Sequence, residues 1–220
     1  MQYEISYAFR LSLDQKKDHD PAYISRRNLD HINPLEKPMR TLTLVVLLTL
    51  SGCSADLSQY RTNNPTLNPA EFFSGPLCAW GTVRDFNGDV SRRFIADIKG
   101  EADENSFTLD EVFLFDDGET QTRLWQFTKN GDRWDGRAGD VVGVAEGEFI
   151  GNMMSLKYDL AVEVDGDTIV LSMDDELHLI DENNLLGKTI MTKFGISVGE
   201  IDLIMQKQTV SGQCEVQFNK

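Results

Sequence analysis

Apolar and polar residues alternate along most of the chain from about residue 80 onwards. In the clearest stretch, Leu156, Tyr158, Leu160, Val162 and Val164 fall at every second position, and polar or small residues fall between them. Successive side chains of a β-strand point to opposite faces, so this period of two predicts strands with one apolar face. About nine or ten segments show it: 80–86, 90–99, 107–115, 120–128, 135–142, 144–149, 152–164, 168–176, 189–194 and 200–207.

Short turn sequences separate many of these segments. They are Asn87-Gly88-Asp89, Asp117-Gly118, Asn130-Gly131-Asp132 and Asp165-Gly166-Asp167, and Asn-Gly and Asp-Gly favour tight hairpins. A long meander of hairpins must protect its two edge strands, and closure into a barrel removes those edges. We therefore predict an all-β fold, an antiparallel up-and-down β-barrel that resembles the lipocalin type. A two-layer sandwich remains the alternative.

One segment near the N-terminus breaks the pattern. The run Thr41–Leu50 is apolar throughout, but it is half the length of about 20 residues that a membrane-spanning helix needs. Lys37 and Arg40 precede it and Leu-Ser-Gly-Cys ends it, an order typical of a bacterial lipoprotein signal peptide. The match to the lipobox pattern implies cleavage before Cys53 and diacylation of its thiol, which would anchor the chain to a membrane.

These features divide the chain into five segments. Residues 39–52 are the expected signal peptide, and the polar residues 1–38 before it are interpreted as a wrongly assigned extension, with translation starting at Met39. Residues 53–70 are expected to be a lipidated N-terminus and tether, residues 71–208 the barrel, and residues 209–220 a C-terminal tail. Ser54, rather than Asp, follows the lipidation site, which resembles the enteric signal for the outer membrane. The expected location is thus the bacterial cell envelope, on the outer membrane facing the periplasm.

Charge narrows the range of partners. The 220 residues carry a formal net charge of −15, and residues 1–52 contain 7 of the 21 basic residues but 6 of the 36 acidic ones. The expected mature chain, residues 53–220, therefore has 14 basic and 30 acidic residues and a net charge of −16, which disfavours binding to nucleic acid.

The expected barrel region contains four distinctive stretches: "FFSGPLCAWGTVRDFNGDVSRRFIADIKG", "TLDEVFLFDDGETQTRLWQFTK", "AGDVVGVAEG" and "MTKFGISVGEIDLIMQK". In combination they resemble the DUF3833 family of uncharacterised bacterial lipoproteins. The resemblance implies no activity, because the family has none assigned. Where the family pattern has a lysine, this chain has Cys78.

Few residues suggest chemistry. Glu111 falls on the same predicted face as Phe107, Leu109, Phe113 and Phe115, and a buried carboxylate is costly unless it is paired or hydrated. Glu111 is therefore either a polar group inside a ligand cavity or a structural ion-pair member, with Arg93 or Arg123 as partner. Aromatic residues that would line such a cavity, or simply fill the core, are Trp80, Trp125, Trp134, Tyr158 and Phe194.

The sequence shows no catalytic or metal-binding motif. The acidic clusters Asp116-Asp117-Gly118-Glu119 and Asp174-Asp175-Glu176 lack the spacing of a calcium loop and are interpreted as solvated hairpin ends. We assign no catalytic residue, metal or cofactor.

Two cysteines remain once Cys53 is assigned to the anchor. Cys78 opens the first predicted strand and Cys214 follows the last, and these strands are neighbours in a closed barrel. The periplasm permits disulfides. The sequence is therefore compatible with a Cys78–Cys214 disulfide and with two free thiols.

The preferred function is a non-enzymatic, lipid-anchored barrel that binds an apolar or amphipathic ligand. A hydrolase or isomerase using cavity carboxylates and a periplasmic protein–protein interaction module are the alternatives. A cavity of roughly several hundred cubic ångströms around Glu111 or Arg93 would favour a ligand or substrate, and a solidly filled barrel would favour the interaction module.

Overall fold

The computed structural model describes residues 56–164, 166–209 and 214. Ten strands in this part of the chain form one closed antiparallel barrel, so the predicted fold class is confirmed. The strands are β1 (Gly75–Asp85), β2 (Val90–Ala102), β3 (Ser106–Phe115), β4 (Thr120–Asn130), β5 (Arg133–Arg137), β6 (Val141–Ile150), β7 (Met153–Val164), β8 (Asp167–Leu179), β9 (Asn184–Lys193) and β10 (Ile196–Lys207).

The connectivity is that of an up-and-down barrel. Each strand pairs with the next one along the chain, and β1 pairs with β10, with Val83 opposite Ile201. Gly88 and Gly118, at two of the predicted hairpin turns, have φ values of 86° and 90°, which glycine adopts without the steric cost of a Cβ atom. The closure of β1 onto β10 excludes the sandwich alternative.

Several strand boundaries differ from the sequence prediction, among them those of β1, β5, β6, β9 and β10. Residues 141–150 form the single strand β6, with Gly143 at a φ of 81° inside it, whereas the sequence predicted a strand end at residue 142. Gly143 lies where the register of β6 against β7 shifts, so it marks a β-bulge rather than a turn. β9 begins at Asn184, five residues before the predicted start.

The segment before β1 packs against the barrel and covers one end of it. A 3₁₀ turn (Leu57–Tyr60) is followed by the short helix α1 (Pro69–Phe72). The Phe73 ring, just after α1, stacks on Phe107 of β3 at 5.0 Å and meets Phe149 of β6 edge-on at 6.4 Å. Leu67 is buried and its N–H donates to the Gly151 carbonyl. The predicted tether of residues 53–70 is therefore wrong for its described C-terminal part, because apolar contacts fix that part to the barrel.

Gly100 allows the covering segment to pack close to β2. We expect that replacing Gly100 by a larger residue lowers the stability of the fold. A Cβ atom on Gly100 would lie 1.8 Å from the Phe73 carbonyl oxygen, so the backbone of the covering segment would have to move. Gly100→Ala should lower the free energy of unfolding by about 2 kcal/mol or more, as measured by urea unfolding. Gly139→Ala is the control, because its Cβ would meet no atom within 4 Å. Equal stability of the two variants would contradict the expectation.

The barrel core has two apolar parts. One surrounds Phe73, Phe107 and Trp134 near the covered end, and the other surrounds Phe94, Phe115 and Leu171. Phe113, Val141, Tyr158 and Leu203 pack against both parts.

The first and last strands are also joined covalently in the structure. Cys78 on β1 and Cys214 beyond β10 form a disulfide, with Cα atoms 5.5 Å apart. Cys78 lies opposite Gln206 of β10, so this disulfide crosses the line where the barrel closes.

The expected signal peptide, the extension of residues 1–38 and Cys53 all lie outside the described residues. Among the helices that the structure describes, none is long and apolar enough to cross a bilayer.

Candidate ligand cavity

A cavity of about 130 Å³ lies inside the barrel. Most of its wall consists of apolar side chains that the period-two pattern turns inward from β1, β2, β3, β4, β7, β8 and β10. Six polar residues interrupt this wall: Glu111, Gln121, Arg123, Tyr158, Asp175 and Thr189. The cavity is therefore an apolar space with a small set of polar groups, the usual composition of a small-molecule site.

Glu111 is the most buried acidic residue of this wall. Only 6% of it is exposed, and its carboxyl group hydrogen-bonds to no other residue in the described part of the chain. Burial raises the pKa of Glu111 from 4.5 to about 7, and the charge of Arg123, which lies opposite on β4, offsets part of that rise. Near neutral pH a substantial share of the Glu111 carboxyl therefore stays protonated.

The guanidinium of Arg123 is held by Asp140 rather than by Glu111. Its Nε donates to Asp140 Oδ2 at 3.0 Å and its Nη2 donates to the same oxygen at 2.7 Å. Burial disfavours the charged guanidinium, but the hydrogen bonds to Asp140 raise the pKa of Arg123 above its ordinary value. Arg123 therefore keeps its positive charge. Its hydrogen-bonded partner Asp140 is not one of the residues of the cavity wall.

This ion pair lies at a gap between strands. The pairing of β4 with β5 runs from Gln126 to Asn130, and that of β5 with β6 from Trp134 to Gly136. Arg123 therefore lies on the part of β4 that extends past the end of β5. Asp140 belongs to the loop that joins β5 to β6, so the Arg123–Asp140 pair ties this loop to β4 across the gap.

Asp175 supplies a second carboxyl group from the opposite side of the barrel. The Thr189 hydroxyl, directly across on β9, and the Tyr158 hydroxyl both hydrogen-bond to Asp175. Burial nevertheless raises the pKa of Asp175 from 3.8 to about 7. Its Oδ1 atom is buried and has no hydrogen-bond partner among the described residues, so this carboxyl retains an unused acceptor.

Tyr158 connects the polar groups to the aromatic wall. Its ring meets Trp125 edge-on with centroids 5.2 Å apart. Burial first, and then the charge of Asp175, raise the pKa of Tyr158 well above 10.0. The phenol therefore stays protonated and acts as a hydrogen-bond donor to Asp175.

Four of the eight residues named as candidates for a cavity wall lie on this one, and Trp134 belongs to the core around Phe107 instead. Glu111, Arg123, Trp125 and Tyr158 come together on the wall. The assignments of Trp80, Arg93 and Phe194 are wrong. Trp80 and Arg93 line a groove on the outer surface, where Arg93 pairs with Asp116 at 2.8 Å. Phe194 is 87% exposed in the turn between β9 and β10.

The arginine of β2 that points inward is Arg92. It lies two positions before the inward Phe94, so both side chains are on the same face of the strand. Arg92 is 2% exposed, its guanidinium lies 3.8 Å from the centroid of the Phe115 ring, and it pairs with Asp117 at 2.6 Å. It is therefore held at the hairpin between β3 and β4 and is not among the residues of the cavity wall.

Sequence reasoning missed two important members of the wall, Asp175 and Thr189. Asp175 was interpreted as part of a solvated acidic cluster. It lies, however, on the same face of β8 as four apolar residues at alternate positions, Leu171, Met173, Leu177 and Leu179. The same period-two test that identified Glu111 would have found it. Within the described residues, no group of three or more His, Cys, Asp and Glu side chains is arranged to hold a metal ion.

Among solved structures, the chain is similar to several small β-barrels. An S-type phycobiliprotein lyase, CPES, from Guillardia theta is 10% identical, with 62% of this chain and 89% of that chain covered and a TM-score of 0.46. The redesigned β-barrel mFAP1 bound to DFHBI is 10% identical, with 64% and 100% covered and a TM-score of 0.36. A de novo designed fluorescence-activating β-barrel is 9% identical, with 64% and 99% covered and a TM-score of 0.35.

The comparison by sequence gives the family. No curated protein matches the chain. The family model described as "Protein of unknown function (DUF3833)" matches residues 47–207, which include the whole barrel. The resemblance noted from the sequence motifs is thereby confirmed, and the chain belongs to the DUF3833 family.

Proposed function

We propose that this protein is a lipoprotein of the bacterial cell envelope whose barrel binds a small apolar or amphipathic molecule. The observation that carries the ligand-binding part is the cavity itself, a largely apolar space inside the barrel with Glu111 and Asp175 on its wall. Burial disfavours the charged forms of both carboxyl groups. A bound molecule that hydrogen-bonds to them would offset this cost.

The size of the cavity limits the ligand. About 130 Å³ is available, less than the several hundred cubic ångströms of a typical drug-sized site. A cavity of about 150 Å³ lined by apolar side chains accommodates benzene. The proposed ligand therefore fills the cavity with a group of about the size of benzene, or it inserts one end of a longer molecule.

The proposed anchor at Cys53 would set the orientation of the barrel. Only Ser54 and Ala55 separate Cys53 from Asp56, the first described residue, and three residue steps reach at most about 11 Å. Asp56 caps the 3₁₀ turn, whose Tyr60 ring lies 5.1 Å from that of His178 on the barrel. Under this proposal, the covered end of the barrel lies close to the membrane and the other end points away from it, into the periplasm for an outer-membrane protein.

Mass spectrometry of the full chain extracted from its own membranes tests both parts of the proposal. Under native conditions we expect a retained molecule on the wild type and less of it on Ala79→Val, because Ala79 lines the cavity and the added methyl groups reduce its volume. Under denaturing conditions we expect a chain that begins at Cys53 and carries a diacylglyceryl mass. A protein without retained mass would contradict ligand binding, and an unmodified Cys53 would contradict the anchor.

One observation favours a second candidate, acid–base catalysis on a bound molecule. Glu111 and Asp175 both have a pKa of about 7, and a general acid or base is most effective when its pKa lies near the working pH. A hydrolase or isomerase would convert the retained molecule during incubation, and Glu111→Gln would abolish the conversion. Release of the molecule unchanged would favour a binding protein.

A further inference from the structure

We propose that the ligand of this cavity carries a protonated amine, which binds to the carboxyl groups of Glu111 and Asp175. The inference rests on the proposed function, because it takes as given that the cavity holds a ligand, and it names the chemical class of that ligand.

The charges around the cavity provide the first argument. Three carboxyl groups, those of Glu111, Asp140 and Asp175, interact electrostatically with the guanidinium of Arg123. Arg123 donates its hydrogen bonds to Asp140. When all groups are ionised, the cluster lacks positive charge, and a cationic ligand would supply it.

The hydrogen-bonding capacity of the wall provides the second argument. Glu111, although only 6% exposed, accepts no hydrogen bond from any described residue, and Asp175 Oδ1 is likewise unpartnered. Both groups are acceptors when ionised. An ammonium group carries three donors and no acceptor, so it matches the acceptors that the ionised carboxyl groups present to the cavity. An alcohol has one donor and would leave one of them unsatisfied.

An anionic ligand fits this wall poorly. A carboxylate would have to draw Arg123 away from its bidentate contact with Asp140 and would then lie beside two like charges. Such close like-charge contacts disfavour the ionised forms. The apolar remainder of the ligand would pack against Phe113, Trp125 and Leu203, which also line the cavity.

Binding of an amine should depend on pH in a definite direction. An ammonium ion favours ionised carboxyl groups, whereas the empty cavity keeps Glu111 and Asp175 protonated up to about pH 7. Other groups act on this pair: Asp110 from β3, Arg123 from β4, Asp140 from the β5–β6 loop, Tyr158 from β7 and Asp174 from β8. Tyr158 and Arg123 do not change charge near neutral pH, because the pKa of each lies above its ordinary value.

Three probes of matched size test the proposal by isothermal titration calorimetry on the full chain: benzylamine, benzyl alcohol and benzoate. We expect benzylamine to bind at least tenfold more tightly than the other two at pH 8. Its affinity should fall on the order of 100-fold between pH 8 and pH 5 for each carboxyl group with a pKa of about 7 that must ionise, and thus at least 100-fold in total. Benzyl alcohol, which has no charge, should show no such fall.

Substitutions of the carboxyl groups complete the test. Glu111→Gln and Asp175→Asn should each weaken benzylamine binding about tenfold and reduce its pH dependence. Asp110→Asn and Asp174→Asn remove the same charge from the neighbouring residues on β3 and β8, and we expect them to leave binding within about twofold.

The outcomes separate the two proposals. Equal or tighter binding of benzyl alcohol or benzoate would overturn the amine assignment and leave ligand binding intact. Benzylamine affinity that Glu111→Gln and Asp175→Asn do not change would also overturn it. Failure of all three probes to bind would overturn the amine assignment together with the proposed function.

Discussion

The Glu111→Gln variant should be more stable than the wild type at pH 8.5 by about 3 kcal/mol and nearly equal to it at pH 4.5. The folded protein raises the pKa of Glu111 to about 7, against 4.5 for the ordinary carboxyl, and each pH unit between these values corresponds to about 1.4 kcal/mol. Glutamine has nearly the same shape and no charge, so the cost of ionising a buried carboxyl disappears.

The direction of this pH dependence follows from the number of protons that the folded and the unfolded chain bind at each pH. Below about pH 4.5 the carboxyl is protonated in both the folded and the unfolded chain, so its ionisation costs nothing. Between pH 4.5 and pH 7 the unfolded chain releases this proton while the folded chain retains it, and the free energy of unfolding therefore decreases as the pH rises. Above pH 7 the folded chain is also ionised and the full cost persists.

Urea unfolding of both proteins at several pH values measures this effect. Asp110→Asn is the matched control, because Asp110 precedes Glu111 on β3 but is exposed. We expect the control to follow the wild type at every pH. A Glu111→Gln variant whose stability relative to the wild type does not change with pH would show that this carboxyl is not buried in solution.

The period-two pattern explains why much of the fold could be predicted. On β7 and β3 the apolar face is nearly continuous, and Glu111 is conspicuous because every other inward residue of β3 is apolar. The barrel closure followed from the number of strands and their short connections rather than from any one residue.

The errors at the candidate site have separate physical causes. Phe194 lies in a turn with a φ of 52°, where the strand alternation no longer holds. Trp80 follows the inward Ala79 directly, so its side chain lies on the outer face of β1. Arg93 likewise lies between the inward residues Arg92 and Phe94 and is on the outer face of β2.

Other members of the site depend on tertiary contacts that no local pattern reveals. Asp140 reaches Arg123 because β5 ends early and leaves a gap beside β4 that the following loop crosses. The covering segment around Phe73 is too short to give a helical or strand period, and its position depends on contacts with β3 and β6. Sequence reasoning identifies inward residues well on long strands and poorly where loops and short helices complete the barrel.

Loss of the Cys78–Cys214 disulfide should destabilise the barrel by about 4 kcal/mol. The bridge joins residues 136 positions apart, and the loop it closes contains all strands from β2 to β10. In the unfolded chain, closure of a loop of this length limits conformational freedom strongly, which accounts for about 4 kcal/mol of stability. The pairing of β1 with β10 closes the same loop, so without the disulfide those strand contacts must overcome the whole cost by themselves.

Cys214→Ser is the variant of choice, since it leaves Cys78, 1% exposed on β1, as a buried thiol that packs like a small apolar residue. Urea unfolding without reductant should show the lower stability, and amide hydrogen exchange should show the largest loss of protection along β1 and β10, where the barrel closes. Wild-type protein unfolded with a reductant should match the variant, and the variant itself should not respond to the reductant. If the reductant left the wild type unchanged while mass spectrometry found two free thiols, strand pairing alone would close this barrel.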